Sequence, residues 1–101
     1  MSGEQENIKE LWDNLREKKP MRQGLFLGEE NEKFYVAKNE NEVYELSALV
    51  YYVWLISDGE HTVEELVERM SKDIQVDKSE VVEPLVLALN SLSKVALIKY
   101  M

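Results

Sequence analysis

Residues 47–65 have the sequence SALVYYVWLISDGEHTVEE. From Ala48 to Ile56 every side chain is aliphatic or aromatic, so a helix here is apolar on all faces and has to be buried. Ser47 is a favourable N-cap for it. Asp58 and Gly59 end it, because glycine readily adopts the left-handed conformation that closes a helix. The segment therefore predicts a buried helix at the centre of one small domain.

Two further helices are predicted downstream. Thr62 and Glu65 have the T-x-x-E spacing of a capping box. An amphipathic stripe follows, consisting of Val63, Leu66, Val67, Met70 and Ile74. Asp77 and Glu80 predict a second capping box, which opens a last helix running to about Ser93.

Upstream, short aromatic and β-branched runs alternate with Gly and Asn turns, which is typical of an antiparallel meander. The three predicted strands are Leu25–Leu27, Phe34–Ala37 and Val43–Leu46. Before them, one apolar stripe with helical spacing predicts an amphipathic helix from Glu6 to about Lys18, which Pro20 stops. The stripe consists of Ile8, Leu11, Trp12 and Leu15.

The composition excludes several classes of function. The chain has 101 residues, no cysteine and one histidine, so it offers no thiol nucleophile and no multi-histidine metal site. Its formal charge of -8 repels a phosphate backbone and disfavours nucleic-acid binding. Its longest apolar run is too short to cross a bilayer, and the N-terminus lacks a targeting signal. We therefore expect a cytoplasmic protein that is not an enzyme, needs no metal or cofactor, and binds neither membrane nor nucleic acid.

The last helix carries more apolar surface than one core contact requires. Val81, Leu85, Ala88 and Leu92 form one stripe, and a second stripe about 100° away consists of Val82, Val86, Leu89 and Ser93. The charge is also unevenly distributed. Residues 58–83 hold nine acidic and three basic side chains, whereas the only charged side chains of residues 84–101 are those of Lys94 and Lys99. The second stripe is a candidate binding surface, and three of its four residues lie in the segment that holds no acidic side chain.

This order of elements resembles the PqqD-like family, the RiPP recognition elements of peptide-modification systems. The resemblance rests on W-x-x-x-D-G at Trp54–Gly59, on T-V-x-E at Thr62–Glu65, and on the closing L-x-x-x-x-L-I at Leu92–Ile98. It covers about residues 34–98. Two positions differ from the family pattern: Ala96 replaces a glycine, and Ser47 replaces an asparagine.

The resemblance implies an α+β fold, a small winged-helix-like domain with a three-stranded antiparallel meander and a three-helix bundle. The chain then divides into a PqqD-like domain at residues 21–101 and an N-terminal amphipathic helix at residues 1–20, which has no counterpart in the family's minimal domain. In this family a leader segment of a precursor peptide adds as a strand to the third strand, beside the last helix. The domain then presents the peptide to a modifying enzyme, often a radical S-adenosylmethionine enzyme. The implied peptide-binding residues are Val43, Tyr44, Glu45, Leu46, Val82, Val86, Leu89 and Ser93.

Alternatives remain open for the second stripe and for the function. The stripe could line a peptide groove, pack against the N-terminal helix, or form a homodimer interface. The corresponding functions are a non-catalytic peptide-binding adaptor and a self-associating scaffold. A winged-helix DNA-binding regulator is less favoured, because the last helix brings only Lys94 to a duplex.

Overall fold

The computed structural model describes residues 3–101, with side chains from residue 8 onward. It is a small α+β domain of four α-helices and a three-stranded antiparallel meander, as the sequence predicts, with an additional two-stranded sheet. The elements are α1 (Gly3–Leu15), β1 (Pro20–Arg22), β2 (Leu25–Glu30), β3 (Lys33–Asn39), β4 (Glu42–Leu46), α2 (Ala48–Ile56), α3 (Val63–Ile74), α4 (Lys78–Lys94) and β5 (Ile98–Tyr100).

The meander has the strand order β2-β3-β4, so β4 lies at one edge. A two-residue turn joins β2 to β3, and its central residues Asn31 and Glu32 both have positive φ, which makes it a type I′ turn. A β-bulge interrupts the β2–β3 register between Phe26 and Gly28. The β3–β4 register is irregular only between Ala37 and Asn39, where β3 holds the extra residue.

Helix α2 lies under the meander and joins it to the other helices. The ring of Tyr51 stacks on Phe34, with centroids 4.3 Å apart, and also contacts Phe26 at 5.0 Å. The indole Nε1 of Trp54 donates to the carbonyl of Gln23 at 3.0 Å. The face of the sheet that carries Phe26 and Phe34 is therefore the inner face, and the opposite face is the outer face.

The predicted N-terminal capping of the helices is confirmed at two of three positions, whereas the predicted closing of α2 by Gly59 is wrong, because the C-cap of α2 is Ser57 in an extended conformation. The hydroxyl of Ser47 accepts from the Val50 N–H at the start of α2, and Thr62 and Glu65 form both bonds of a capping box at the start of α3. The box predicted at Asp77 is wrong, because Asp77 occupies the N-cap position of α4 without a side-chain cap bond. Its carboxylate instead accepts a hydrogen bond from the Ser79 hydroxyl.

Helix α4 is the centre of the core and packs against α1, α2 and α3. Both of its apolar stripes contribute buried side chains. Leu15 of α1 is part of the same buried cluster, so the N-terminal helix shares its core with the rest of the chain.

Two short strands were not predicted. Strand β1 pairs antiparallel with β5, with Met21 opposite Lys99. The segment that follows α1 therefore lies beside the segment that follows α4. Gly59 lies against this sheet, and its N–H donates to the Pro20 carbonyl at 2.8 Å. Its φ is +76°. An added Cβ on Gly59 would lie 3.1 Å from the Met21 Cβ, so this close approach favours glycine.

Candidate functional site

Within residues 3–101 no strand pairs with the outer edge of β4, and this free edge offers unpaired backbone groups. The type I′ turn makes Glu30 and Lys33 a hydrogen-bonded pair, and backbone groups alternate in direction along each strand. It follows that Phe34 and Val36 point their backbone groups toward β4, where they face Leu46 and Tyr44. The alternate residues of β4 are Val43 and Glu45. Their backbone N–H and C=O groups therefore point away from the sheet.

The same two residues carry their side chains on the outer face. Val43 is 52% exposed, and the Glu45 side chain is 51% exposed. Across the sheet, Val43 lies opposite Ala37, which in turn lies opposite Leu25. An apolar row therefore crosses all three strands and ends at the free edge of β4.

The other predicted residues of β4 hold the strand in place. Leu46 is buried in the core, and the half-buried Tyr44 packs against it. The Tyr44 hydroxyl donates to Glu42 Oε2 at 2.9 Å, and this bond raises the pKa of Tyr44. Hydrogen bonds from Asn39 and Tyr44, together with the nearby Lys38 ammonium, lower the pKa of Glu42. Glu42 is therefore a carboxylate at neutral pH and fixes the start of β4.

The opposite edge of the meander, β2, is less suited to strand addition. The bulge at Leu27 breaks its hydrogen-bonding pattern, and Gly28 has a φ of +152°. Bulges at sheet edges are a common device against edge-to-edge pairing. The regular edge of β4 is therefore the better template for an added strand.

The groove wall predicted on α4 needs correction. Val86 and Leu89 have 0% exposed surface and belong to the core, so neither side chain can touch a peptide in this structure. Val82 is half-buried and lines a cleft of about 730 Å³ with Trp12 of α1 and Val67 of α3. Ser93 is exposed. The physical reason is that α4 is surrounded by three helices, so its wide apolar arc is used for packing.

A cleft between α1 and α4 was also missed by sequence reasoning. It has a volume of about 590 Å³, and its apolar lining is Ile8, Leu11 and Leu87. Leu87 lies on a third side of α4, outside both predicted stripes. No sequence signal marks this cleft, because it depends on how α1 packs on α4.

His61 has a structural role in the turn before α3. Its Nδ1 lies 2.7 Å from Asp58 Oδ2, and Asp58 Oδ1 accepts the backbone N–H groups of Glu60 and His61. Partial burial raises the pKa of Asp58, but these hydrogen bonds outweigh it and the pKa is lowered. The side chains described contain no group of three or more His, Cys, Asp or Glu that could hold a metal ion. Among the described helices, none is long and apolar enough to cross a membrane.

Comparison of the chain with protein-family models, with curated proteins and with solved structures finds no match.

Proposed function

We propose that this chain is a non-catalytic adaptor that binds an extended peptide by strand addition to β4 and presents it to a peptide-modifying enzyme. The observation that carries the proposal is the regular free edge of β4, with the backbone groups of Val43 and Glu45 directed outward. The resemblance to the PqqD-like family supplies the peptide class, the leader segment of a precursor, and the partner, an enzyme of the radical S-adenosylmethionine type. Both partners would meet it in the cytoplasm.

Backbone hydrogen bonds provide the affinity in this mechanism. Two outward residues offer up to four hydrogen bonds, and each contributes about 1 kcal/mol net. Exposed apolar side chains on the outer face add about 25 cal/mol per Å² removed from water. The ordering of the peptide offsets part of this gain, so we expect dissociation constants in the micromolar range.

A pair of proline variants tests the proposal. Val43→Pro removes an outward N–H from β4 without breaking a β3–β4 hydrogen bond. Glu29→Pro is the matched control, because Glu29 lies on the opposite edge of the meander. A displayed library of random twelve-residue peptides is selected on the wild-type protein, and the affinity of the enriched peptides is measured by fluorescence polarisation. Circular dichroism establishes that both variants are folded.

We expect Val43→Pro to weaken binding at least tenfold and Glu29→Pro to leave it within twofold. A second measurement uses two N-methylated forms of an enriched peptide, one methylated on the odd-numbered amides and one on the even-numbered amides. The form whose methyl groups replace the N–H hydrogens directed at β4 should fail to bind. Equal binding by Val43→Pro, or the absence of any enriched peptide, would contradict the proposal.

A self-associating scaffold is the second candidate function. The observation that favours it is the exposed apolar surface of the outer face, where Leu25, Leu27 and Val43 are 66%, 53% and 52% exposed. Sedimentation equilibrium distinguishes the two candidates: a concentration-dependent dimer that is lost in Leu27→Glu supports the scaffold, whereas a monomer removes it.

A further inference from the structure

The outer face of the meander presents two neighbouring rows of different chemistry at the free edge of β4. The first row runs from Leu25 through Ala37 to Val43 and is apolar throughout. The second row pairs Tyr35 with Glu45 and ends in a carboxylate. A strand added to β4 would place one side chain beside the end of each row.

The electrostatic environment of these rows is acidic. Residues 25–46 hold six Glu and two Lys. Lys33 Nζ lies 3.7 Å from Glu45 Oε2, and Lys38 Nζ lies 3.9 Å from Glu42 Oε1, so both cations are already paired with acids of β4. The side chains of both pairs are between about a third and just over a half exposed to solvent, where such contacts are weak and exchange easily with a competing cation. A basic side chain therefore complements this edge, and an acidic one is repelled.

We infer that the peptide bound at β4 has an apolar residue opposite Val43 and a Lys or Arg opposite Glu45, separated by a single residue. This inference rests on the proposed function, because it assumes that the peptide adds as a strand to this edge. The spacing follows from strand geometry, since residues i and i+2 of the added strand lie on the same face. The apolar residue extends the row of Leu25, Ala37 and Val43 to a fourth strand, and the basic residue pairs with the Glu45 carboxylate.

The test uses synthetic ten-residue peptides that differ only at two positions, i and i+2. The pairs are Leu/Lys, Lys/Leu, Leu/Glu, Glu/Leu, Ser/Lys and Lys/Ser, so that both strand directions are covered. Each peptide is titrated against the wild-type protein, against Glu45→Lys, and against Glu40→Lys. Glu40→Lys is the matched control, because it makes the same change of charge in the exposed turn before β4.

Either the Leu/Lys peptide or the Lys/Leu peptide should bind the wild-type protein about fivefold more tightly than the peptide with Glu in place of its Lys. In Glu45→Lys the preference should reverse in favour of the Glu peptide, whereas Glu40→Lys should keep the wild-type order. The preference should also decrease as salt is raised from 0.05 to about 1 M, because exposed charges are screened.

The outcomes separate this inference from the proposed function. Binding that is lost in Val43→Pro but does not distinguish Lys from Glu overturns the inference and leaves the adaptor proposal in place. A preference for Lys that is equally weakened by Glu40→Lys also overturns it, because the effect is then one of net charge. Failure of all six peptides, when library-selected peptides do bind at β4, overturns the inference alone, whereas failure of the library peptides as well contradicts both.

Discussion

At the scale of single residues, Ala96 is held in a conformation that glycine would adopt more easily. It has a φ of +59° and joins α4 to β5. Its N–H donates to the Ser93 carbonyl at 3.0 Å, and the next N–H, that of Leu97, donates to the Leu92 carbonyl at 2.9 Å. Left-handed backbone costs an L-residue about 1 kcal/mol. This is the position where the resemblance to the PqqD-like family leads one to expect glycine.

Ala96→Gly is therefore expected to raise the free energy of unfolding by about 0.5–1 kcal/mol, since relief of the strain exceeds the added entropy of the unfolded chain. Urea unfolding followed by tryptophan fluorescence measures it. Ala48→Gly, at the start of α2, is the control and should give no gain. A loss of stability in Ala96→Gly would show that the Ala96 methyl group contributes packing of its own.

Two tyrosines make the stability of the fold dependent on pH above neutrality. Burial, followed by the hydrogen bond to Asp73, raises the pKa of Tyr52 to about 12, and burial raises the pKa of Tyr100 to about 12. The fold therefore favours the neutral phenols. Their contribution is fully present below pH 10 and is lost as the pH rises from 10 to about 12.

Removal of the two hydroxyls should have different effects at pH 7. The Tyr52 hydroxyl donates to Asp73 at 2.6 Å, so Tyr52→Phe should lower the free energy of unfolding by about 1 kcal/mol. Among the described residues the buried Tyr100 hydroxyl has no hydrogen-bond partner, so Tyr100→Phe should leave stability unchanged or raise it. Urea unfolding of both variants checks this, and a large loss in Tyr100→Phe would be the contrary result.

At the scale of secondary-structure elements, the starts of α3 and α4 differ although their sequences suggest the same capping. Thr62 and Glu65 exchange both bonds of the capping box, at 3.2 and 2.8 Å. Asp77 makes no side-chain cap bond, and the hydrogen bond from the Ser79 hydroxyl is the main cause that lowers its pKa. The D-x-x-E spacing alone could not reveal that Ser79 competes for the Asp77 carboxylate.

Thr62→Ala should therefore lower the free energy of unfolding by about 1 kcal/mol, and Asp77→Ala should lower it by less. Thermal unfolding at pH 7 compares the two variants directly. Equal losses, or a larger loss at Asp77, would mean that the start of α4 is capped in solution in a way that the structure does not contain.

Most elements of the fold could be predicted from local patterns. The apolar segment of α2 and the short runs of the meander identify these elements without knowledge of their neighbours. Strands β1 and β5 have three residues each, and their pairing joins distant parts of the chain, so no local signal marks them. The two apolar stripes of α4 both contribute buried side chains, but a helical pattern does not reveal which element covers them. In the structure three helices, α1, α2 and α3, cover them.

At the scale of the whole molecule, the buried core lies apart from the strand edge at which we propose peptide binding. The core is formed mainly by the helices around α4, and the inner face of the meander contributes Val36 and Leu46 to it. The outer face and the free edge of β4 are therefore left without a structural role among the described residues. The formal charge of -8 gives two copies of the chain a mutual repulsion, which weighs against the self-associating scaffold and is consistent with the basic peptide residue proposed above.

The most direct test of peptide binding at β4 is hydrogen exchange of individual backbone amides, measured by NMR with and without an enriched peptide. In the free protein the amides of Val43 and Glu45 should exchange rapidly, because they point to solvent. With peptide bound, these two amides should be protected at least tenfold, while those of Phe26 and Glu29 on the opposite edge should be unchanged. Protection at the β2 edge or in the cleft between α1 and α4, with Val43 and Glu45 still exchanging rapidly, would contradict the account.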